Sequence, residues 1–388
     1  LGSQHECAGG SEITFFTAGP KEQTLSGIDL DVKATQTVER KGDSLVQPVE
    51  LNIDYPYVEP VKGCIRVEGL EPLLLDLRFG RQTITNVIAA SEVERSLNVS
   101  IETDGKKVVS REIPVHPVRK WIVYILMHSH VDIGYTDIQT KIAEKQANNI
   151  KRALELIMGA KDYPEGAKFK WNAEAFWAID QFLAVATPEQ KKELEEAVRA
   201  GSIGIDAMYG NLLTGICRAE ELMQQLYFAT EFGRKCGVKV DSMMISDVPG
   251  LTWGVVPALA HHGVKYISDG PNYMDRIGWA RVTWEDKPFY WVSPSGKEKA
   301  LYWAPYMGYA FGHTVNTLPM AVEKLLKHLD ETKYPYDMVQ LRWSKGDNGS
   351  ADERVMDQVR EWNAKYAWPK LVIATTSEMF HEFEKRYG

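Results

Sequence analysis

Apolar and polar positions are patterned in two different ways along this chain. In the first third, short β-prone runs follow one another with no long helical pattern between them. They are Ile13 to Phe16, Ile28 to Val32, Val49 to Ile53, Cys64 to Val67, Leu73 to Leu77, Thr83 to Ile88, Leu97 to Ile101 and Lys107 to Ile113. Turn chemistry such as Lys41-Gly-Asp43 and Asp104-Gly-Lys106 separates them. This spacing predicts an antiparallel β-sandwich over residues 1–117. Nothing in it carries chemistry, which suits a structural or glycan-contacting accessory domain. Pro114 to Lys120, with two prolines, predicts the linker.

From residue 118 onward the period changes. Strand-like runs at 121–127, 168–172, 202–206, 242–246, 264–268, 299–303, 337–343 and 371–375 alternate with amphipathic helical stretches. Among the helices are 138–157, 187–200, 219–236, 319–331 and 352–366. Thr187-Pro-Glu-Gln190 is a capped helix start with proline at the first helical position. The last of these helices is expected to start near Ser350, with Asp352 and Glu353 in its first turn. Repeated strand–helix units predict an α/β domain over 118–388, a parallel sheet or a closed or partly closed β/α barrel.

The run Ile122 to Met127 reads as a buried strand that breaks into His128-Ser-His130-Val-Asp132. Alternation puts these three polar side chains on one face of an extended segment. Imidazole and carboxylate are zinc-type ligands, and a strand's carboxyl end is where α/β folds keep their sites. Acids recur at the same place after other strands: Glu174, Asp206, Asp247, Asp269 and Asp347. Together with Asp132 they predict an acidic pocket for a metal, a polyhydroxylated ligand, or both. Singly, each has an ordinary reading. Asp247 before Val-Pro249 suits a helix N-cap, and Asp347-Asn-Gly349 is good turn chemistry. Paired carboxylates are also what glycosidic cleavage needs. Glu174 could bind sugar hydroxyls, and Trp177 could floor a subsite or simply fill the core.

Composition narrows the partners. The chain has 388 residues, 44% apolar and 25% charged, enough for a large core and two domains. A net charge of -8 without a Lys/Arg cluster argues against nucleic acid and anionic membrane surfaces. The apolar runs fall far short of a transmembrane span. No signal peptide is visible at Leu1, and the first ten residues resemble a processed end. Four cysteines, none in a C-x-x-C pair, argue against a cysteine zinc site. Eleven Trp and seventeen Tyr supply either core filling or sugar-stacking faces.

Several pieces, in order, resemble the amino-terminal catalytic domain of the family 38 glycoside hydrolases, the zinc-dependent retaining α-mannosidases. They are His128-Ser-His-Val-Asp-Ile-Gly-Tyr135, Trp171-Asn-Ala-Glu174, Ala200 to Asp206 with Glu220 and Glu221, Ser246-Asp247, and Gly346-Asp347 followed by Ala374 to Phe380. The resemblance spans about residues 120–388 and implies a seven-stranded β/α barrel-like catalytic domain. It implies His130, Asp132 and Asp247 as zinc ligands. Asp247 would also be the nucleophile, and Asp347 the acid/base. Glu174, Trp177, Asp206, Tyr135 and Trp253 are the expected substrate contacts. The family's fourth zinc ligand is a histidine from a later region, and His313 is the in-chain substitute. Three departures mark a divergent member. The family's Asp-x-Phe-Gly-His is Asp247-Val-Pro-Gly-Leu-Thr-Trp253 here, its tryptophan after the opening glycine is Tyr135, and Gly388 stands where the catalytic domain closes. The expected substrate is therefore an α-mannoside or related glycan, and the expected cofactor is Zn²⁺. Two other readings share the residues: another metal-dependent hydrolase (a deacetylase or amidohydrolase) that uses metal-bound water, and a degenerate carbohydrate-binding protein. A glycan substrate and the sandwich suggest a secreted or periplasmic location.

Overall fold

The computed structural model describes Leu25, residues 27–272 and residues 274–388, so the predicted run Ile13 to Phe16 lies outside the described residues. Two compact units result. One holds the residues up to Lys120 together with Lys365–Pro369, and the other Trp121–Ala364 with Lys370–Gly388.

The first unit is all β. In one sheet β1 (Asp29–Ala34), β2 (Val38–Lys41) and β6 (Gly80–Ala89) pair antiparallel with the long β3 (Ser44–Tyr55). A late segment, Tyr366–Trp368 (β17 in chain order), adds to the outer side of β2. The other sheet has β4 (Val61–Val67), β5 (Leu73–Leu77), β7 (Arg95–Thr103) and β8 (Lys106–Val115) in the order β5-β4-β7-β8. Strand β3 shows why these residues form strands. Val49, Leu51, Ile53 and Tyr55 alternate inward and are fully buried, while Glu50 and Asp54 face out. They join Ile65, Val67, Leu77, Val99 and Ile101 from the other sheet in one apolar cluster. Each such buried side chain contributes about 1.5–3 kcal/mol. All seven predicted runs from Ile28 onward fall on strands. The four-residue β2 was missed, being too short and too charged to show a pattern.

The second unit is mixed α/β with parallel pairing. In one sheet, β9 (Ile122–Met127) lies between β16 (Met338–Trp343) and β18 (Lys370–Ile373), parallel to both. In another, β10 (Trp171–Ala173) pairs with β11 (Ile203–Ile205). The last has β12 (Ser242–Asp247), β13 (Tyr266–Pro271), β15 (Lys299–Trp303) and the antiparallel β14 (Phe289–Val292). Among the described residues, only point contacts join these sheets, such as the His128–Asn172 bridge and the Ala207 N–H donating to the Ser242 carbonyl. The expected barrel is thus not closed. Strands β10 and β11 are three residues long, too short to carry a continuous ladder.

The helices between the strands include α1 (Gln139–Gly159), α2 (Phe176–Val185), α3 (Pro188–Arg199), α4 (Ala219–Cys236) and α5 (Val255–His262). Short α6 (Met274–Ile277), α7 (Trp279–Trp284) and α8 (Phe311–Thr314) follow, then α9 (Leu318–Glu331), α10 (Arg354–Lys365) and α11 (Thr376–Tyr387). The Thr187 cap forms as predicted, with a reciprocal bond from Gln190. Helix α10 begins later than predicted, at Arg354. Asp352 is not in its first turn but precedes it, accepting from the Arg354 backbone and guanidinium and from the Trp343 indole.

Candidate active site

Strand β9 ends at Met127, and the next turn delivers its polar residues to one place. The imidazoles of His128 and His130 are both buried. Behind them sits Glu174, just past β10, with its carboxylate fully enclosed. One oxygen accepts from His130 Nδ1 (3.0 Å), Asn211 Nδ2 (2.7 Å) and the Val131 N–H (3.3 Å). The other takes His128 Nδ1 (2.7 Å), Arg342 Nη2 (2.9 Å) and the Ser246 hydroxyl. Burial alone would raise the Glu174 carboxyl. Donation from the two imidazoles outweighs it and holds the group well below the usual range.

Glu174 fixes the His130 ring so that Nε2 points the other way. That nitrogen is buried and has no hydrogen-bond partner among the described residues. Around it stand three carboxylates. Asp132 Oδ1 is 3.3 Å away, outside hydrogen-bonding geometry, and Asp247 Oδ2 is 3.8 Å away. Asp347 completes a set with His130 and Asp132 in which all ligand atoms lie within 4.8 Å of one another. Burial lowers the basicity of His130, but Asp132 and Glu174 outweigh it and lift its pKa to about 10. Such a nitrogen takes either a proton or a metal ion in exchange for it. Imidazole plus carboxylates, with the far ring nitrogen held by a buried acid, is the donor set and outer support that a metal centre uses. The residues therefore fit a metal. His128 differs, since burial and the Arg342 guanidinium push its pKa down to about 4. It is neutral and donates Nδ1–H to Glu174.

The loops that bring the carboxylates in are built for the task. Asp247 ends β12 at φ 64, a left-handed conformation for a non-glycine residue. Its Oδ1 is held by Asn272 and by Arg276 Nη1 (3.1 Å), leaving Oδ2 toward His130. Asp347 lies beside His130 through a parallel bridge, and the Asn348 N–H donates to the His130 carbonyl (2.8 Å). Asn348, at φ 53, accepts from Gln146 (2.7 Å) and donates to the Asp132 carbonyl (3.1 Å) and the Thr136 hydroxyl (2.8 Å). It staples the Asp347 loop to the Asp132 segment. Burial raises the Asp347 carboxyl above its ordinary value, against the pull of His130 and His313. Gly308, at φ +62, packs against the Pro271 carbonyl so closely that a Cβ would stand 2.3 Å from its oxygen. That approach seats the Tyr309 ring 4.6 Å from His130.

His130, Asp132, Asp247 and Arg276 open into a cavity of about 570 Å³ that Tyr135 and Asn211 also line. Tyr135, 81% exposed, stands at its wall as a substrate contact would. Other expected contacts lie elsewhere. Glu174 supports the histidines and does not face the cavity. Trp177 is core, packed with Val131, Ile142 and Ala175. Asp206 is fully buried and accepts from Ser242 Oγ (2.9 Å) and Thr376 Oγ1 (3.2 Å), and burial pushes its pKa up to about 7. The Trp253 indole donates to the Val292 carbonyl (2.6 Å). The six strand-end acids do not share one pocket, because Glu174 and Asp206 are turned into the interior and Asp269 lines a separate cavity. His313 lies beside Asp347, with Nδ1 3.9 Å away and Nε2 on the Ser344 hydroxyl (2.6 Å).

Sequence reasoning missed Asn211, Asn272, Arg276, Arg342 and Tyr309. Only Arg342 carried a signal, since a guanidinium inside the run Met338–Trp343 has to find a buried anion.

A buried imidazole ringed by carboxylates at the ends of parallel strands is a set of groups that could hold a metal ion. The chain belongs to the glycosyl hydrolases family 38, whose N-terminal domain matches residues 120–388. Among solved structures, the chain is similar to an α-mannosidase from Enterococcus faecalis V583. That match has 16% identity and a TM-score of 0.54, and covers 69% of this chain and 29% of the other. It is also similar to a protein in the Glycosyl Hydrolase Family 38 from Enterococcus faecalis, at 14% identity, a TM-score of 0.50, and 69% and 28% coverage. At these identities the likeness is one of fold, and this chain spans under a third of the length of either protein. No curated protein matches the chain.

Proposed function

We propose that this chain carries the catalytic centre of a zinc-dependent retaining glycoside hydrolase acting on α-mannosides or related glycans. One observation carries the reading: the unpartnered His130 Nε2, aimed at Asp132, Asp247 and Asp347. His130, Asp132 and the Oδ2 of Asp247 would hold the zinc. When bound, zinc supplies Lewis-acid polarisation of substrate oxygens. Asp247 is the nucleophile. Its attack on the anomeric carbon expels the leaving oxygen, which takes a proton from Asp347. Water then gives its proton to Asp347 and opens the glycosyl ester, so two inversions yield retention. Tyr135, on the cavity wall, offers a ring face to the sugar. The β-sheet unit serves as an accessory β-sandwich domain over residues 1–117, and residues 118–388 form the barrel-like catalytic domain.

Turnover of an aryl α-mannoside by the protein and by Asp247→Asn and Asp347→Asn tests the roles. Both variants should retain the fold and lose at least about a hundredfold in kcat. Turnover by Asp247→Asn close to that of the unmodified protein would overturn the assignment.

A further inference from the structure

A second cavity, of about 380 Å³, lies on the other side of β13 and shares only Pro249 with the first. Period-two alternation explains the separation. Ser268 bonds to Gln340, and Gly270 packs against Arg342 and Tyr309 on the side of the His130 site. Asp269, between them, faces the opposite way. One wall of the cavity is aromatic. Tyr302 packs with Phe289 at 5.0 Å, Trp291 at 6.0 Å and Trp284 at 6.3 Å between ring centroids.

At the base of this nest Asp269 is 3% exposed. Tyr302 donates its hydroxyl to Oδ2 (2.7 Å), while Oδ1 has no hydrogen-bond partner among the described residues. A buried carboxylate oxygen without a donor is costly, and none of the four aromatic side chains donates to Oδ1. The nearby Arg342 does not supply one, because its bonds go to Glu174, Ser246 and the Ile245 and Ser268 carbonyls. Burial pushes the Asp269 carboxyl up to about 6, while the Tyr302 bond and the Arg342 charge pull it down.

The geometry points to a second ligand site here, which takes a small organic ammonium with an apolar, preferably aromatic, body. The ammonium donates to Asp269 Oδ1 in a charge-assisted bond, and the aromatic faces stabilise both the cation and its body. Trp284, 48% exposed, forms the mouth. The volume falls in the range of small-molecule sites. The site is independent of the proposed glycosidase chemistry, because none of its polar groups belongs to the His130 cluster.

Calorimetric titration with 2-phenylethylamine and, separately, 2-phenylethanol tests this on the full chain. The two probes differ in the charge of the donor. The amine should bind saturably and roughly tenfold or more tighter than the alcohol. Asp269→Asn should abolish that preference. Trp284→Ala, at a half-exposed position whose loss leaves the core intact, should weaken the amine at least about threefold. No saturable amine binding, equal affinity for both probes, or amine binding unchanged in Trp284→Ala would each overturn the assignment.

Discussion

Replacing Glu174 by Gln changes one atom and removes one charge, and the structure says what that costs. The carboxylate receives bonds from His128, His130, Arg342, Asn211, Ser246 and a backbone N–H, and it is fully buried. Gln preserves the volume, so no cavity forms. It leaves Arg342, itself buried, without its only direct carboxylate partner among the described residues, and it turns an amide donor toward groups that already donate. Breaking one partner out of a buried ion pair costs about 3–5 kcal/mol, a large share of the roughly 5–15 kcal/mol by which domains are stable. His130 loses the acceptor that orients its ring, so metal affinity should also fall about 10–100-fold. Urea unfolding followed by tryptophan fluorescence measures the first effect, and zinc titration measures the second. A Glu174→Gln protein within about 1 kcal/mol of the original, with unchanged zinc affinity, would refute the account of Glu174 as the keystone.

Other perturbations read other parts of the structure. Asp206 has a raised pKa in the fold, so its contribution to stability is present below the ordinary carboxylate value and is lost as pH rises through about 7. Asp206→Asn should therefore gain stability relative to the original between pH 5 and pH 8, by roughly 1–3 kcal/mol in urea unfolding. Gly308→Ala would put a Cβ 2.3 Å from the Pro271 oxygen at φ +62, which should cost about 2–4 kcal/mol and displace Tyr309 from His130. A lowered melting temperature with reduced zinc affinity is the expected readout. Chelation should lower the melting temperature of the metal-loaded protein, because ligand bound only to the folded state stabilises it by mass action. Returning zinc should restore it, and Asp132→Ala should show no such response.

Much of the framework was legible because it rests on period. Strand β9, helix α4 and the alternation of strands with helices followed from apolar spacing alone. His130, Asp132, Asp247 and Asp347 lie near one another, each at or a few residues beyond the carboxyl end of a parallel strand. What failed was orientation. Glu174, Asp206 and Asp269 occupy the same kind of strand-end position, yet the side chains of Glu174 and Asp206 enter the interior and Asp269 lines a separate cavity. A sequence gives the position of a residue along a strand but not which neighbours will satisfy it. Asp206 turns inward because Ser242 and Thr376, from distant segments, offer hydroxyls. The supporting groups Asn211, in a loop, and Arg276, in the four-residue helix α6, were illegible for the same reason, as the course of both segments is set by tertiary contacts. Strand β14 escaped notice because its aromatic run, Phe289-Tyr-Trp291, pairs antiparallel at a sheet edge, outside the strand–helix rhythm.

The most direct test of the central claim is the metal content of the purified chain after equilibration with zinc and removal of the excess, beside that of Asp132→Ala. The site predicts about one zinc per chain, lost in the variant while its fold remains intact by circular dichroism. No retained zinc in the unmodified protein, or zinc retained equally by the variant, would contradict the reading of His130, Asp132 and Asp247 as a metal centre.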